Sequence, residues 1–202
     1  MDNIIFQIVI LIMSVVIHEV AHGHAALYMG DVTAKYAGRL TMNPIKHLDP
    51  FGSIILPSLL VLTGTGFVVG WAKPVPYNPY NFKNKRWGEL VVAAAGPLSN
   101  IGIAILMAAI VRLEGVLGLS QVFVELAFIT IIINLFLAFF NLVPIPPLDG
   151  SKILFGLFPN WSSKYRQTME AYGLFLIIFF IIFLSGFLVP LVFSTAGFLI
   201  SF

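Results

Sequence analysis

The chain has 202 residues, of which 59% are hydrophobic and only 10% charged, with 19 phenylalanines and a mean hydropathy of +0.98. An ordinary soluble domain carries roughly 25% charged residues, so this composition excludes a soluble fold and points to an integral membrane protein. A net charge of +2 scattered through loops gives no reason to expect a nucleic-acid partner, and the absence of cysteine excludes disulfides, thiolate metal sites and a cysteine nucleophile.

Five apolar stretches follow one another along the chain. The first covers 4–29 and carries His18, Glu19 and His22 inside it, so a cleavable signal peptide is not expected. The second, 51–69, is interrupted by Pro57 and by Gly64-Thr65-Gly66. The third runs over 89–111 and the fourth over 122–143. The last, 171–202, is interrupted by Ser185-Gly186 and Pro190 and reads as one kinked helix or two shorter ones. Segment 32–50 reads as extended or turn-rich, and Lys73-Pro74-Val75-Pro76 cannot be helical throughout, so short strands are expected there.

Charge decides which stretches cross. Lys35, Arg39 and Lys46 precede the second stretch, and Lys73, Lys83, Lys85 and Arg86 follow it. A full crossing by 51–69 would put these two basic clusters on opposite faces; a re-entrant dip keeps both cytoplasmic. Arg112 and Glu114 then lie outside, while Lys152, Lys164 and Arg166 lie inside. The expected fold is an all-α polytopic membrane protein with about four to six transmembrane helices and a re-entrant, β-hairpin-like region between the first two core helices. It reads as a single membrane-embedded domain over 1–202.

His18-Glu19-Val20-Ala21-His22 is an HExxH motif within an apolar helix. Positions four apart lie about 40° from each other on a helix, so both imidazoles reach one zinc from the same face. Glu19 stands beside them, placed to act as a general base on water activated at the metal and not to ligate it. Ionisable groups inside a membrane span are costly and usually functional. The bland alternative is a buried His/Glu cluster that stabilises helix packing.

A catalytic zinc takes three protein ligands and keeps a position open. His24 lies about 160° round the helix from His22, and His47 reads as an interfacial loop residue. Asp149 is the better third candidate. It follows Pro144, Pro146 and Pro147, which break the fourth helix, and precedes Gly150. A short helix over Ser151–Phe158 starts here, so Asp149 reads equally as its N-cap; the HExxH background favours the ligand.

Together these segments resemble the site-2 protease family of intramembrane metalloproteases, peptidase family M50. The resemblance runs through His18 to Ala26, Asn43-Pro44, Asp49-Pro50-Phe51-Gly52, Gly96-Pro97-Leu98-Ser99-Asn100 and Asn141 to Gly150, and covers about residues 10–160 in order. It implies one Zn2+ per chain on His18, His22 and Asp149, with Glu19 as general base. It also implies that Asn141 positions substrate or stabilises the oxyanion, and that Gly96, Pro97 and Asn100 support packing and substrate backbone near the site. Without the family, Asn141 reads as a helix-end residue and Gly96-Pro97 as a packing kink. No inserted PDZ domain or C-terminal CBS module is expected, as in the compact branch of the family.

The expected activity is hydrolysis of peptide bonds in locally unwound transmembrane segments, as regulated intramembrane proteolysis. The partners are a transmembrane protein or peptide substrate and membrane lipid; a homo-oligomer is allowed. The expected location is a prokaryotic cell membrane with the active site toward the cytoplasm. A metal-ion transporter that uses the same His and Asp side chains is the competing class, and an inactive scaffold the third.

Overall fold

The computed structural model describes residues 4–55, 58–59, 62–63 and 71–201. Among these the protein is helical. The helices are α1 (Ile4–Tyr28), α2 (Thr33–Tyr36), α3 (Lys85–Arg112), α4 (Glu114–Leu117), α5 (Gln121–Asn141), α6 (Asp149–Leu157), α7 (Pro159–Ala171), α8 (Gly173–Phe179) and α9 (Ser185–Ile200). Three are long and apolar enough to span a membrane: α1, α3 from Trp87, and α5. A fourth span results if the α7 end and the helix that follows it, bent by 67° at Tyr172, are counted as one.

The outside of the bundle is apolar. Ile5 is 73% exposed and Phe187 76% exposed, whereas His18, Asn100, Asn134 and Asp149 are buried. Apolar exteriors with polar interiors suit hydrocarbon as the surrounding medium. The protein is an all-α, polytopic membrane protein.

Helix α3 is central and packs against α1, α5, α6 and α9. Its distal half meets α5 and α9 through Ala104, Ala108, Ile131, Leu135, Val192 and Ala196, all buried. Alanine at three of these positions lets the backbones approach closely, which is how helices gain contact where hydrocarbon offers no drive to association. The run from Gly173 to Ile200 is helical throughout: a π-helical stretch at Phe180–Leu184 joins α8 to α9, and Pro190 lies within α9.

Some expectations for the connecting region hold and others change. Residues 32–50, expected to be extended or turn-rich, are turn-rich: they hold α2, a 3-10 turn at Pro44–His47 and the start of a π-helical turn at Pro50–Ile55. Among the described residues the strand expectation reduces to one isolated antiparallel bridge, Leu48 to Ala72. Asn43 and Asn78 start their 3-10 turns by accepting the N–H groups of Ile45 and Tyr80, local bonds that compete with a sheet ladder. The question of whether 51–69 crosses or re-enters lies largely outside the described residues.

Candidate metal centre and catalytic site

Both histidines project from one face of α1. Their rings meet edge to face with centroids 4.6 Å apart, as the four-residue spacing requires. The third group arrives from α6. Helix α5 ends at Asn141, the proline-rich turn reverses the chain, and Asp149 becomes the first residue of α6, which runs from Asp149 to Leu157 and not from Ser151. Leu148 is the N-cap, with no capping side chain, so the N-cap reading of Asp149 does not hold. The Asp149 carboxylate instead turns to the imidazoles. Gly150 allows this close packing: a Cβ there would strike the Leu142 and Val143 carbonyl oxygens.

The three candidate ligand atoms form a nearly equilateral triangle. His18 Nε2 is 3.0 Å from His22 Nε2, and Asp149 Oδ2 lies 3.2 Å from each. Ligands tetrahedrally bound at about 2.0–2.2 Å stand about 3.3–3.6 Å apart, close to these edges. The protons fit a cation as well. His18 donates from Nδ1 to Asn100 Oδ1 at 2.6 Å, and His22 donates from Nδ1 to the Val92 carbonyl at 2.7 Å. In the neutral tautomers so fixed, both Nε2 atoms present lone pairs, and with a carboxylate oxygen that makes three acceptors converging with no donor between them. A metal ion resolves that arrangement.

Asn100 has no freedom to flip. Its Nδ2 donates to Asn134 Oδ1 at 2.9 Å and to the Ser14 carbonyl at 3.3 Å, while Asn134 Nδ2 donates to Ser14 Oγ and the Thr130 carbonyl, each at 2.9 Å. A buried chain from α5 through α3 thus orients the ring on α1. Asn100 sits behind His18, outside the cavity that the site opens onto. Gly96 lies under both rings: a Cβ there would come within 2.6 Å of the His18 ring and closer still to His22 Nε2. Pro97 is buried inside α3 one residue further on, with no N–H to give the Ala93 carbonyl.

In front of the ligands is a cavity of about 160 Å3, lined by Glu19, Val75, Tyr77, Asn141, Asp149 and Lys152 among others. Glu19 Oε2 accepts the Val75 N–H at 2.8 Å. Asn141 reaches the cavity while its Nδ2 donates to the Leu137 carbonyl at 2.9 Å. Lys152 Nζ stands 3.9 Å from Asp149 Oδ1, the oxygen turned away from the imidazoles, and 5.3 Å from the centre of the Tyr77 ring. Burial works against a lone Asp149 carboxylate, and a cation held between the three acceptors would offset that cost. Burial likewise works against the Lys152 ammonium, and Tyr77 and Asp149 outweigh it and raise the group.

The other two histidines stay away from this centre. His24 Nδ1 pairs with the Val20 carbonyl one turn back. His47 is 1% exposed and buried, not interfacial; its Nε2 donates to the Thr41 carbonyl at 2.8 Å. Lys152, Asn134, Asp31 and Arg39 are functional candidates that the sequence reading passed over. A lysine three residues after the aspartate, on the same helical face, is the one local signal that pointed to any of them.

Comparison with known proteins now decides the class. Over 192 residues, 92% of this chain and 81% of the relative, the sequence is 40% identical to "Putative zinc metalloprotease YwhC" of Bacillus subtilis. The family model of peptidase family M50 matches residues 116–185, which hold α5 and the Asp149 turn. The chain belongs to peptidase family M50. It is a zinc-dependent protease of the membrane. Two other relatives are more distant. Both are named "Putative zinc metalloprotease Rip2": that of Mycolicibacterium smegmatis is 33% identical over 69% of this chain and 52% of its own length, and that of Mycobacterium tuberculosis H37Rv is 27% identical over 85% and 63%. The chain thus spans somewhat over half the length of the Rip2 proteins. No solved structure matches it significantly.

Proposed function

We propose that this M50 protease is a single membrane-embedded domain that hydrolyses peptide bonds of locally unwound transmembrane segments, with one zinc per chain held by His18, His22 and Asp149 and with Glu19 as general base. The observation that carries the reading is the triangle of His18 Nε2, His22 Nε2 and Asp149 Oδ2, with edges of 3.0, 3.2 and 3.2 Å, opening onto the cavity that Glu19 lines. When bound, zinc polarises the scissile carbonyl and activates water as the nucleophile.

The chain's own groups do the rest. With Glu19 Oε2 engaged by Val75 N–H, Oε1 is the atom that takes the proton of the attacking water and returns it to the leaving amine. Asn141 uses one N–H on the Leu137 carbonyl and keeps the second for the developing oxyanion. The Lys152 ammonium beside Asp149 adds positive potential on the same wall. Gly96 and Pro97 keep α3 close behind the ligands.

A helical substrate cannot present its amide here, because its carbonyl is hydrogen-bonded and shielded within the helix. The extended chain at 71–78 borders the cavity, where an unwound segment would lie against Pro74, Val75 and Tyr77. Substrates are then transmembrane proteins or peptides, met from the lipid phase, and the biological role is regulated intramembrane proteolysis. Lys35, Arg39 and Lys46 follow the metal-bearing end of α1, and Lys152 and Arg166 follow α5, which favours a site near the cytoplasmic face.

Purified protein in detergent, given a panel of transmembrane peptides, tests this. Cleavage is expected to stop with a chelator and to return with zinc. Glu19→Gln should lose turnover by roughly 10²- to 10⁴-fold while keeping its zinc, whereas His22→Ala and Asp149→Ala should lose the metal. Zinc passing into proteoliposomes with no peptide cleaved, and insensitive to Glu19→Gln, would make the chain a transporter instead.

A further inference from the structure

The segment from Ala72 to Asn78 is held by an unusual set of buried charges, none of which faces the metal centre. Arg39, 9% exposed, donates from Nη2 to the carbonyls of Lys73 at 2.7 Å and Pro74 at 3.3 Å. Asp31, 0% exposed, accepts the Asn78 N–H on Oδ2 at 2.7 Å and the Asn81 side-chain amide on Oδ1 at 2.8 Å. Lys73 N–H donates to the His47 carbonyl at 2.9 Å. Both ends of a short extended run are therefore clamped to the loops that follow α1.

Between the clamps lies Pro74-Val75-Pro76. Proline has no N–H, so this tripeptide owns one backbone donor, that of Val75, and it is delivered to Glu19 Oε2 at 2.8 Å. The prolines also fix their own φ and restrict the residue before each, so the donor's direction is set by covalent structure as well as by the clamps. The Val75 side chain is 5% exposed and packs close to Gly23 of α1, where a Cβ would come within 3.0 Å of it.

We infer that this clamped segment is a positioning device for the general base, in which Val75 N–H fixes the Glu19 carboxylate and Arg39 and Asp31 act as positioning residues through it. The inference rests on Glu19 being the base. A carboxylate with no donor to hold it would swing, and a single charge-assisted bond to one oxygen holds its rotamer and leaves the other oxygen for the proton. It gives a function to the basic and acidic residues after α1, which the metal site leaves unexplained.

The test compares Val75→Pro, which deletes the N–H, with Val75→Ala, which keeps the N–H and loses the side-chain packing. Residue 75 already precedes a proline, so a proline there is compatible with extended chain. Val75→Pro is expected to have a kcat roughly ten- to a hundredfold below that of Val75→Ala, with equal zinc content in the two variants, because hydrogen bonds to charged groups have about that weight. A second readout needs no turnover: exchange of the Val75 amide with solvent should be slow in the parent and at least about tenfold faster in Glu19→Ala and in Arg39→Met, both judged folded by zinc content. Equal kcat in the two Val75 variants, or unchanged exchange in Glu19→Ala, would overturn the inference. Full turnover in Glu19→Gln would instead overturn the reading of Glu19 as base, so the two failures are distinct.

Discussion

Helix α3 does two different jobs along one stripe. Val92, Gly96, Asn100, Ala104 and Ala108 recur every four residues and face the interior. Near its start the stripe meets imidazoles: the Val92 carbonyl and Asn100 each hold one histidine by Nδ1, and Gly96 leaves room for both rings. Towards its end the stripe meets apolar side chains, Ile131, Leu135, Val192 and Ala196 among them. Small residues serve both ends, but for different reasons. At the histidine end smallness makes space for a polar, hydrogen-bonded cluster; at the far end it brings backbones together for dispersion contact. Substitutions along the stripe should therefore separate metal binding from bundle stability.

Gly96→Val should have the largest effect. A branched side chain there occupies the place of both imidazoles, so zinc content and turnover should each fall by more than about a hundredfold, read by metal analysis and peptide cleavage. Zinc retained at the parent level would show that the rings can move aside, and the contrast between the ends would weaken.

Asn100→Ala comes next. Loss of the Nδ1 partner frees the His18 tautomer and leaves Asn134 Oδ1 without its donor, so zinc affinity should drop by roughly 10- to 100-fold in competition with a chromophoric chelator. Ala108→Leu, two turns further along, should instead cost about 1–3 kcal/mol of stability through overpacking, with zinc affinity unchanged. Thermal unfolding in detergent and the same chelator competition would read both quantities; a metal defect in Ala108→Leu would mean that the two ends are coupled.

The smallest effect concerns acid and lies outside the stripe. Burial acts to raise the Asp31 carboxyl, but hydrogen bonds from Thr33, Asn81 and Asn78 outweigh it and hold the group below its ordinary value. A carboxyl whose pKa is lower folded than unfolded contributes stability above its unfolded pKa of about 3.9, and that contribution disappears as pH falls through the folded value. The difference in melting temperature between the parent and Asp31→Asn should therefore be constant above about pH 5 and shrink below about pH 4.

What could be read from the sequence follows the range of the interactions. His18 and His22 are legible because a helix alone places residues four apart on one face. Asp149 is legible because an acidic residue after three prolines at the end of an apolar span is expensive unless used. The segment boundaries near 4–29, 89–111 and 122–143 fall within a few residues of α1, α3 and α5, since hydrocarbon imposes length on each. The relay from Ser14 through Asn134 and Asn100 to His18 joins three helices across separations of 34 to 120 residues, and no local periodicity marks it. The same holds for Asp31 and Arg39, whose distant partners are backbone groups 34 to 47 residues away and, for Asp31, the Asn81 side-chain amide 50 residues away. The burial of His47 was hidden for that reason too: a loop sequence does not show what packs over it.

The grip of Arg39 and Asp31 on residues 73 to 78 has a consequence for how that stretch tolerates change. Its three contacts there end on main-chain atoms, two carbonyls and one amide, which every residue or nearly every residue supplies. Lys73 is thus replaceable in kind, whereas Asn78 also caps the turn at Pro79–Asn81, and inserting or deleting one residue between them would turn the single donor away from its carboxylate. The stretch is a ruler: its length matters more than its lettering.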